Sequence, residues 1–437
     1  MRVLFALYAE KTHLQPMVPL AWALRLAGHD VRVATQPALV PAVTQSGLTA
    51  VEVGRDHNLW RTARRFLTPR VAQVDPALYD RVRGVAQAPF DVADDPPESI
   101  SWEHLRRGYE KTIPSWYRMV NEPMVDDLVA YARAWRPDLV LWESATYAGP
   151  VAARAVGAAH GRMLCNLDMF GVARGHFLRL AAEQPQQRGA DPLAEWLTAL
   201  GGRYGVDFCE EMTTGQFTVD QHAAAVRMEA GLRCLPMRYV PYNGAAVVPR
   251  WLWEKPDRPR VCLTLGSTST EGFNGYAVDV GEIVHALADL PIELVATLSG
   301  QSQERLGALP ANVRVVPFVA LNALAPTCAV VIHHGAFGTA STAAIAGVPQ
   351  LSLYERHDAP YQAARLTRYG AGLGVHYRQA SAEMVRAAVV RLLFEPSFAA
   401  RAADLRAEML AMPSPAEVIP ALMALTSEGR DPGPGPR

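Results

Sequence analysis

VVIHHGAFGTASTAAIAG, residues 330–347, is the stretch on which the fold turns. Val330 to Ile332 form the short apolar run of a buried parallel strand. His333, His334 and Gly335 make a tight loop. Small residues then open a helix (Gly338, Thr339, Ala340, Ser341, Thr342), which closes at Gly347 ahead of Pro349. Small side chains let a ligand approach the backbone, and the N–H groups and dipole of a helix start favour an anion. A histidine at the entrance adds a hydrogen bond or a charge to a phosphate. A tight strand–helix turn with incidental histidines is the alternative, and the residues alone leave both open.

The same rhythm extends outward. Strands are expected near 261–265, 292–297, 313–316 and 350–353, and helices near 278–288, 361–369 and 382–394. Earlier in the chain, strands fall near 3–7, 31–34, 51–53 and 139–142, with helices near 17–27, 124–135 and 147–156. Alternating strands and helices imply parallel sheets covered on both faces. The reading is therefore α/β, with two Rossmann-like domains facing a cleft: residues 1–235 and 260–410. Residues 236–259, rich in Pro, Asn-Gly and aromatics, read as the linker. A closing helix at 411–428 and a disordered Gly/Pro tail at 429–437 follow. Residues 56–114 are broken by Pro, Asp and Arg among scattered aromatics, and read as an irregular binding insertion.

Composition narrows the function. The chain has 437 residues, half of them apolar, enough for two cores. Its 42 basic and 43 acidic residues leave a net charge of −1, without the basic footprint of a nucleic-acid binder. Lysine occurs only at Lys11, Lys111 and Lys255, the codon bias of a GC-rich genome. Five scattered cysteines without CxxC spacing fit a reducing cytoplasm better than a disulfide framework or a zinc site. No stretch approaches the roughly 20 apolar residues of a membrane span. A soluble, cytoplasmic protein is expected.

Three further places carry chemistry. Gly266, Ser267 and Thr268 end a strand, where α/β sheets bind ligands; a plain helix cap is the alternative. His13 follows the first strand, placed to act as a general base, and Glu143 could orient or charge-balance it. A helix-start polar residue and a solvated carboxylate are their alternatives. Asp358, after the strand near 350–353, is placed to accept hydrogen bonds from sugar hydroxyls or merely to cap a helix before Pro360.

Together these motifs resemble the GT-B-fold glycosyltransferases of actinobacterial antibiotic pathways, above all the macrolide and anthracycline deoxysugar transferases. The likeness rests on VPLAWAL (18–24), AGHDVRV (27–33), WRPDLVLWE (135–143), MRYVPYNG (237–244), RVCLTLG (260–266), HHG (333–335) and GVPQ (347–350). It spans nearly the whole chain and implies C-terminal helices that close back on the N-terminal domain. It also implies inverting transfer from a thymidine-diphospho deoxysugar to a hydroxyl of a polyketide aglycone. His13 would be the base. The nucleotide-sugar site would comprise Gly266, Ser267, Thr268, Phe318, Val319, His333, His334, Gly335, Gly338, Thr339 and Asp358. Ser267, His334, Gly338 and Thr339 would hold the diphosphate, Phe318 and Val319 would flank the base, and Asp358 would touch the sugar.

No cofactor and no metal would be needed, and the second domain has no DxD-like motif. A cytochrome-P450-like helper on the N-terminal domain and a homodimer are the further partners considered. Two positions depart from the family pattern. Ala336-Phe337 stands where small residues are usual, so Phe337 either turns away or reshapes the donor site. Ala359 follows Asp358 where Gln is common. Four rivals remain: an oxidoreductase, which lacks G-x-G-x-x-G; a phosphorylase, which lacks a Lys after Lys255; a sugar-nucleotide epimerase; and a catalytically silent helper or scaffold.

Overall fold

The computed structural model describes residues 1–85, 87–184, 191–266, 275–304 and 306–430. Two parallel sheets organise it. The first has the order β3-β2-β1-β4-β5-β6-β7, built from β1 (Arg2–Ala6), β2 (Asp30–Thr35), β3 (Thr49–Glu52), β4 (Leu139–Glu143), β5 (Ala159–Met163), β6 (Thr218–Asp220) and β7 (Cys234–Pro236). The second has the order β10-β9-β8-β11-β12-β13, built from β8 (Arg260–Thr264), β9 (Glu293–Thr297), β10 (Val313–Val316), β11 (Val330–His333), β12 (Gln350–Tyr354) and β13 (Gly372–His376).

Alternate residues of each central strand feed opposite faces, because the side-chain period of a strand is two. Leu4, Ala6, Val140 and Trp142 pack beneath helices Trp102–Thr112 and Arg118–Trp135. Val3, Phe5, Leu139 and Leu141 pack on the other face against Leu20, Leu24, Ile419 and Leu422. The last pair belongs to helix Ile419–Gly429, so the chain ends on the first domain's core, as the resemblance implied. Strand order reverses between β1 and β4 in one sheet and between β8 and β11 in the other. Crevices at the carboxyl ends of strands open at such points. His13 and Glu143 lie at the first, Gly266 and His334 at the second.

Much of 56–114 is helical among the described residues. The segment forms helices Leu59–Phe66, Pro69–Val74, Pro76–Arg83 and Trp102–Thr112. The residues that read as breakers are starts. Thr68, Asp75 and Ser101 accept capping hydrogen bonds from Val71, Leu78 and His104 N–H, and Pro69 and Pro76 take first-turn positions where no N–H is needed. β5 also escapes an apolar-run reading because it buries His160 and Arg162, the latter paired with Asp168 at 2.6 Å. Of the expected tail, 431–437 lies outside the described residues.

Candidate active site between the two sheets

The short helix Lys11–Leu14 leaves β1 and turns His13 over the end of β4. There His13 Nδ1 lies 3.4 Å from Glu143 Oε1. Glu143 is only 1% exposed and is held ionised by its neighbours. The Thr146 hydroxyl donates to Oε2 at 2.9 Å, and Ala145 N–H and the Ser144 hydroxyl donate to Oε1 at 3.1 and 3.2 Å. Burial raises its pKa, but the charge and hydrogen bond of His13, with Thr146 and Ala145, more than offset this and leave it lowered. The solvated-carboxylate alternative is thereby excluded.

Burial also pulls the His13 pKa down, yet Cys165 and Glu143 together hold it well above 6.5. Cys165 lends charge only as a thiolate, and burial pushes its own pKa up. At neutral pH the Glu143 carboxylate is therefore what keeps the proton on His13. Tyr8 fixes the ring edge-on at 5.3 Å. The result is an imidazole whose rear nitrogen faces a carboxylate, a geometry that suits proton transfer at the other ring nitrogen.

Across the cleft, helix Phe337–Ile345 begins at Ala336, whose side chain supplies no cap. An uncapped helix start in a cleft is an anion site. The His334 ring lies on Gly266, where a Cβ would come within 2.6 Å of His334 Cε1; Gly266 also has φ +71°. His334 Nδ1 is buried without a hydrogen-bond partner among the described residues. Burial, with Arg356 and His333 adding to it, drives the His334 pKa to about 3. It therefore offers a phosphate a hydrogen bond and no resident charge.

His333 is 1% exposed, its Nδ1 accepts from Gly335 N–H at 2.9 Å, and its Nε2 meets Gln350 Oε1 at 2.9 Å, so both ring nitrogens brace the loop. Gly335 is fixed by space, since a Cβ would stand 2.8 Å from Ala359 Cβ. Phe337 turns away from the loop into a pocket of His222 and Tyr239, with ring centroids 4.7 and 5.4 Å apart. Tyr239 in turn donates to Gly338 O at 3.1 Å, bracing the helix start. Thr339 is half-buried in that first turn. Ser267 and Thr268 lie outside the described residues.

Phe318, just past β10, is exposed, so its ring is available to a ligand, whereas Val319 is buried and offers only backbone. Asp358 does not stand free in the cleft. Its Oδ2 accepts from Leu167 N–H of the first domain at 2.9 Å and from Gln362, so it ties the two domains together beside the donor loop.

Several residues at this junction carry no sequence signal. Arg83 pairs with Glu355, and Arg365 with Asp94 at 2.6 Å, which fastens the insertion onto the second domain. His357 adopts φ 52°, strained for a non-glycine, and its N–H donates to Gly84 O at 3.0 Å. Trp116 lies in a π-helical turn, Ile113–Tyr117, a distortion common at functional sites. Its ring stands 6.0 Å from both His357 and Phe170, and its buried indole N–H lies against the Tyr8 hydroxyl.

Comparison with known proteins agrees with this geometry. Residues 22–266 match the sequence family described as erythromycin biosynthesis protein CIII-like, N-terminal domain, and residues 281–425 match its C-terminal counterpart. The chain is 45% identical to the 10-deoxymethynolide desosaminyltransferase of Streptomyces venezuelae, covering 99% of both chains. It is 44% identical to the aclacinomycin-T 2-deoxy-L-fucose transferase of Streptomyces galilaeus, over 98% of this chain and 97% of that one. The crystal structure of glycosyltransferase VinC in complex with dTDP is similar at a TM-score of 0.85 and 40% identity, over 98% of this chain and all (100%) of that one. The two tandem parallel sheets are thus those of a GT-B glycosyltransferase, and the chain belongs to the erythromycin biosynthesis protein CIII-like family.

Proposed function

We propose that this enzyme transfers a deoxysugar from a thymidine-diphospho sugar to a hydroxyl of a macrolide- or anthracycline-type aglycone, with inversion. What supports the reading is the His13–Glu143 pair at the reversal point of the first sheet together with the His334 loop at that of the second. The names of the relatives supply the substrate classes: a desosaminyltransferase acting on 10-deoxymethynolide and a 2-deoxy-L-fucose transferase.

His13 Nε2 takes the acceptor hydroxyl proton as the oxygen attacks the anomeric carbon from the face opposite the diphosphate. Glu143 holds the proton on Nδ1 and balances the imidazolium that forms. The thymidine diphosphate leaves toward the start of helix Phe337–Ile345. There the first-turn N–H groups of Gly338 and Thr339 and His334 stabilise the charge it gains. Phe318 stacks on the base. The helical insertion and Trp116 line the aglycone side.

Thymidine-diphospho sugar is a co-substrate, so no resident cofactor enters the cycle. A cytochrome-P450-like helper on the N-terminal domain, a homodimer and a cytoplasmic setting complete the proposal. No helix among the described residues is long and apolar enough to cross a membrane.

A screen of thymidine-diphospho sugars against macrolide and anthracycline aglycones, with and without a P450-like partner, tests the reading by mass spectrometry. Product is expected for at least one pair, and His13→Ala should remove it while dTDP binding persists. Near-normal turnover by His13→Ala would refute the base assignment.

A further inference from the structure

The rear of the His13 ring meets more than a carboxylate. Cys165 stands two residues beyond β5, the strand beside β4, and its Sγ lies 3.7 Å from the same Glu143 Oε1 that faces His13 Nδ1. The three ligand atoms, one nitrogen, one oxygen and one sulfur, all fall within 4.8 Å of one another. Tetrahedral zinc, with bonds of about 2.1 Å to nitrogen or oxygen and about 2.3 Å to sulfur, needs edges of roughly 3.4 Å (N–O) and roughly 3.6 Å (S–O). Two of the three edges already have those lengths, at 3.4 and 3.7 Å. The third, within 4.8 Å, needs to close by about 1 Å, which is small-rotation distance for a cysteine side chain.

The three groups also touch one another without an ion: the Cys165 thiol donates to Glu143 Oε1, and His13 Nδ1 is buried beside both, so a metal would replace these contacts with bonds to the same three atoms. Glu143 and Cys165 are almost wholly enclosed, while His13 keeps 23% of its side chain open to the cleft, which gives an ion a way in. A nitrogen, a thiolate and a carboxylate suit a borderline-soft ion such as zinc and poorly suit magnesium or calcium.

We propose that His13, Glu143 and Cys165 form an inhibitory zinc site that overlaps the general base. On binding, the Cys165 thiol gives its proton to solvent and the thiolate coordinates. His13 likewise releases its Nδ1 proton to solvent and coordinates through that nitrogen, keeping the Nε2 proton, and one Glu143 oxygen completes three protein ligands, with water in the fourth position. The ring's single proton must then sit on Nε2, so that nitrogen has no lone pair left for the acceptor hydroxyl. Binding itself does not depend on what the enzyme catalyses; the inhibition rests on His13 being the base.

Cobalt(II) is the probe, added to the full chain and read by absorption. A thiolate-to-cobalt charge-transfer band in the near ultraviolet, saturating at one ion per chain and displaced by zinc, is expected. Cys165→Ala and Cys165→Ser should each weaken binding by at least about tenfold, while Cys234→Ala leaves the band in place. Retained dTDP binding shows that the Cys165 variants are folded. No band in the wild-type chain, or a band that survives both Cys165 variants, overturns the site. In a transfer assay, zinc should suppress the wild-type rate reversibly with a chelator, and each Cys165 variant should resist relative to its own zinc-free rate. A Cys165-dependent band with transfer unaffected by zinc would overturn the inhibition and count against His13 as the base.

Discussion

Replacing Glu143 with Gln tests how much of the base's strength comes from one carboxylate. The side chain keeps its shape and its contacts with Thr146 and Ser144 but loses its charge. A full charge pair 3.4 Å apart is worth about 5 kcal/mol at an effective dielectric constant of about 20. With about half of the imidazolium charge developed at the transition state, roughly 2.5 kcal/mol of that is lost, or roughly 60-fold in kcat. The sign of the pH effect follows from the same balance. Burial favours the neutral ring and Glu143 opposes it, so wild-type His13 is protonated to well above pH 6.5 and inactive as a base below its pKa. Transfer should rise with pH through that pKa. In the variant burial dominates, and the acidic limb moves to lower pH. The roughly 60-fold loss should therefore appear in full on the alkaline plateau and shrink toward acidic pH, where more of the variant's His13 is neutral. The assay is kcat against pH with one competent donor–acceptor pair. A plateau within about threefold of wild type, together with an unmoved limb, would refute the coupling.

His334→Ala should weaken dTDP binding by about tenfold, the worth of one hydrogen bond to a charged group, and unchanged calorimetric affinity would remove it from the donor site. Trp116→Phe leaves a smaller aromatic ring and deletes the indole N–H that meets Tyr8; acceptor KM should rise about fivefold with the donor KM unchanged, and an effect on the donor alone would contradict its place on the aglycone side. Phe337→Ala should cost about 3 kcal/mol in denaturant unfolding by emptying the pocket between His222 and Tyr239. It should also loosen the helix start and so weaken dTDP binding; a cost under about 1 kcal/mol would mean the pocket collapses freely.

The chain's apolar runs determined the α/β class, since short runs such as Val3–Leu7 and Val330–Ile332 have only one place to go, the middle of a parallel sheet. The positions of His13, His334 and Gly338 at strand ends and helix starts were legible for a related reason: backbone geometry alone sets such positions at the carboxyl edge of a parallel sheet. Side-chain direction was not legible. His333 and His334 are neighbours in sequence, yet strand alternation sends one ring into the core and leaves the other at the loop. Phe337 looked obstructive until the His222–Tyr239 pocket, contributed by the other domain and the linker, took it away. Asp358 is open to either a sugar contact or a helix cap from its place in the sequence, and only the packing of two domains shows its Oδ2 accepting from Leu167 N–H. The helical insertion, the Arg83–Glu355 clamp and the convergence of Cys165 on Glu143 depend on long-range contacts. Local propensity carries no record of such contacts, because each partner is polar, isolated in its own segment and unremarkable until the chain folds.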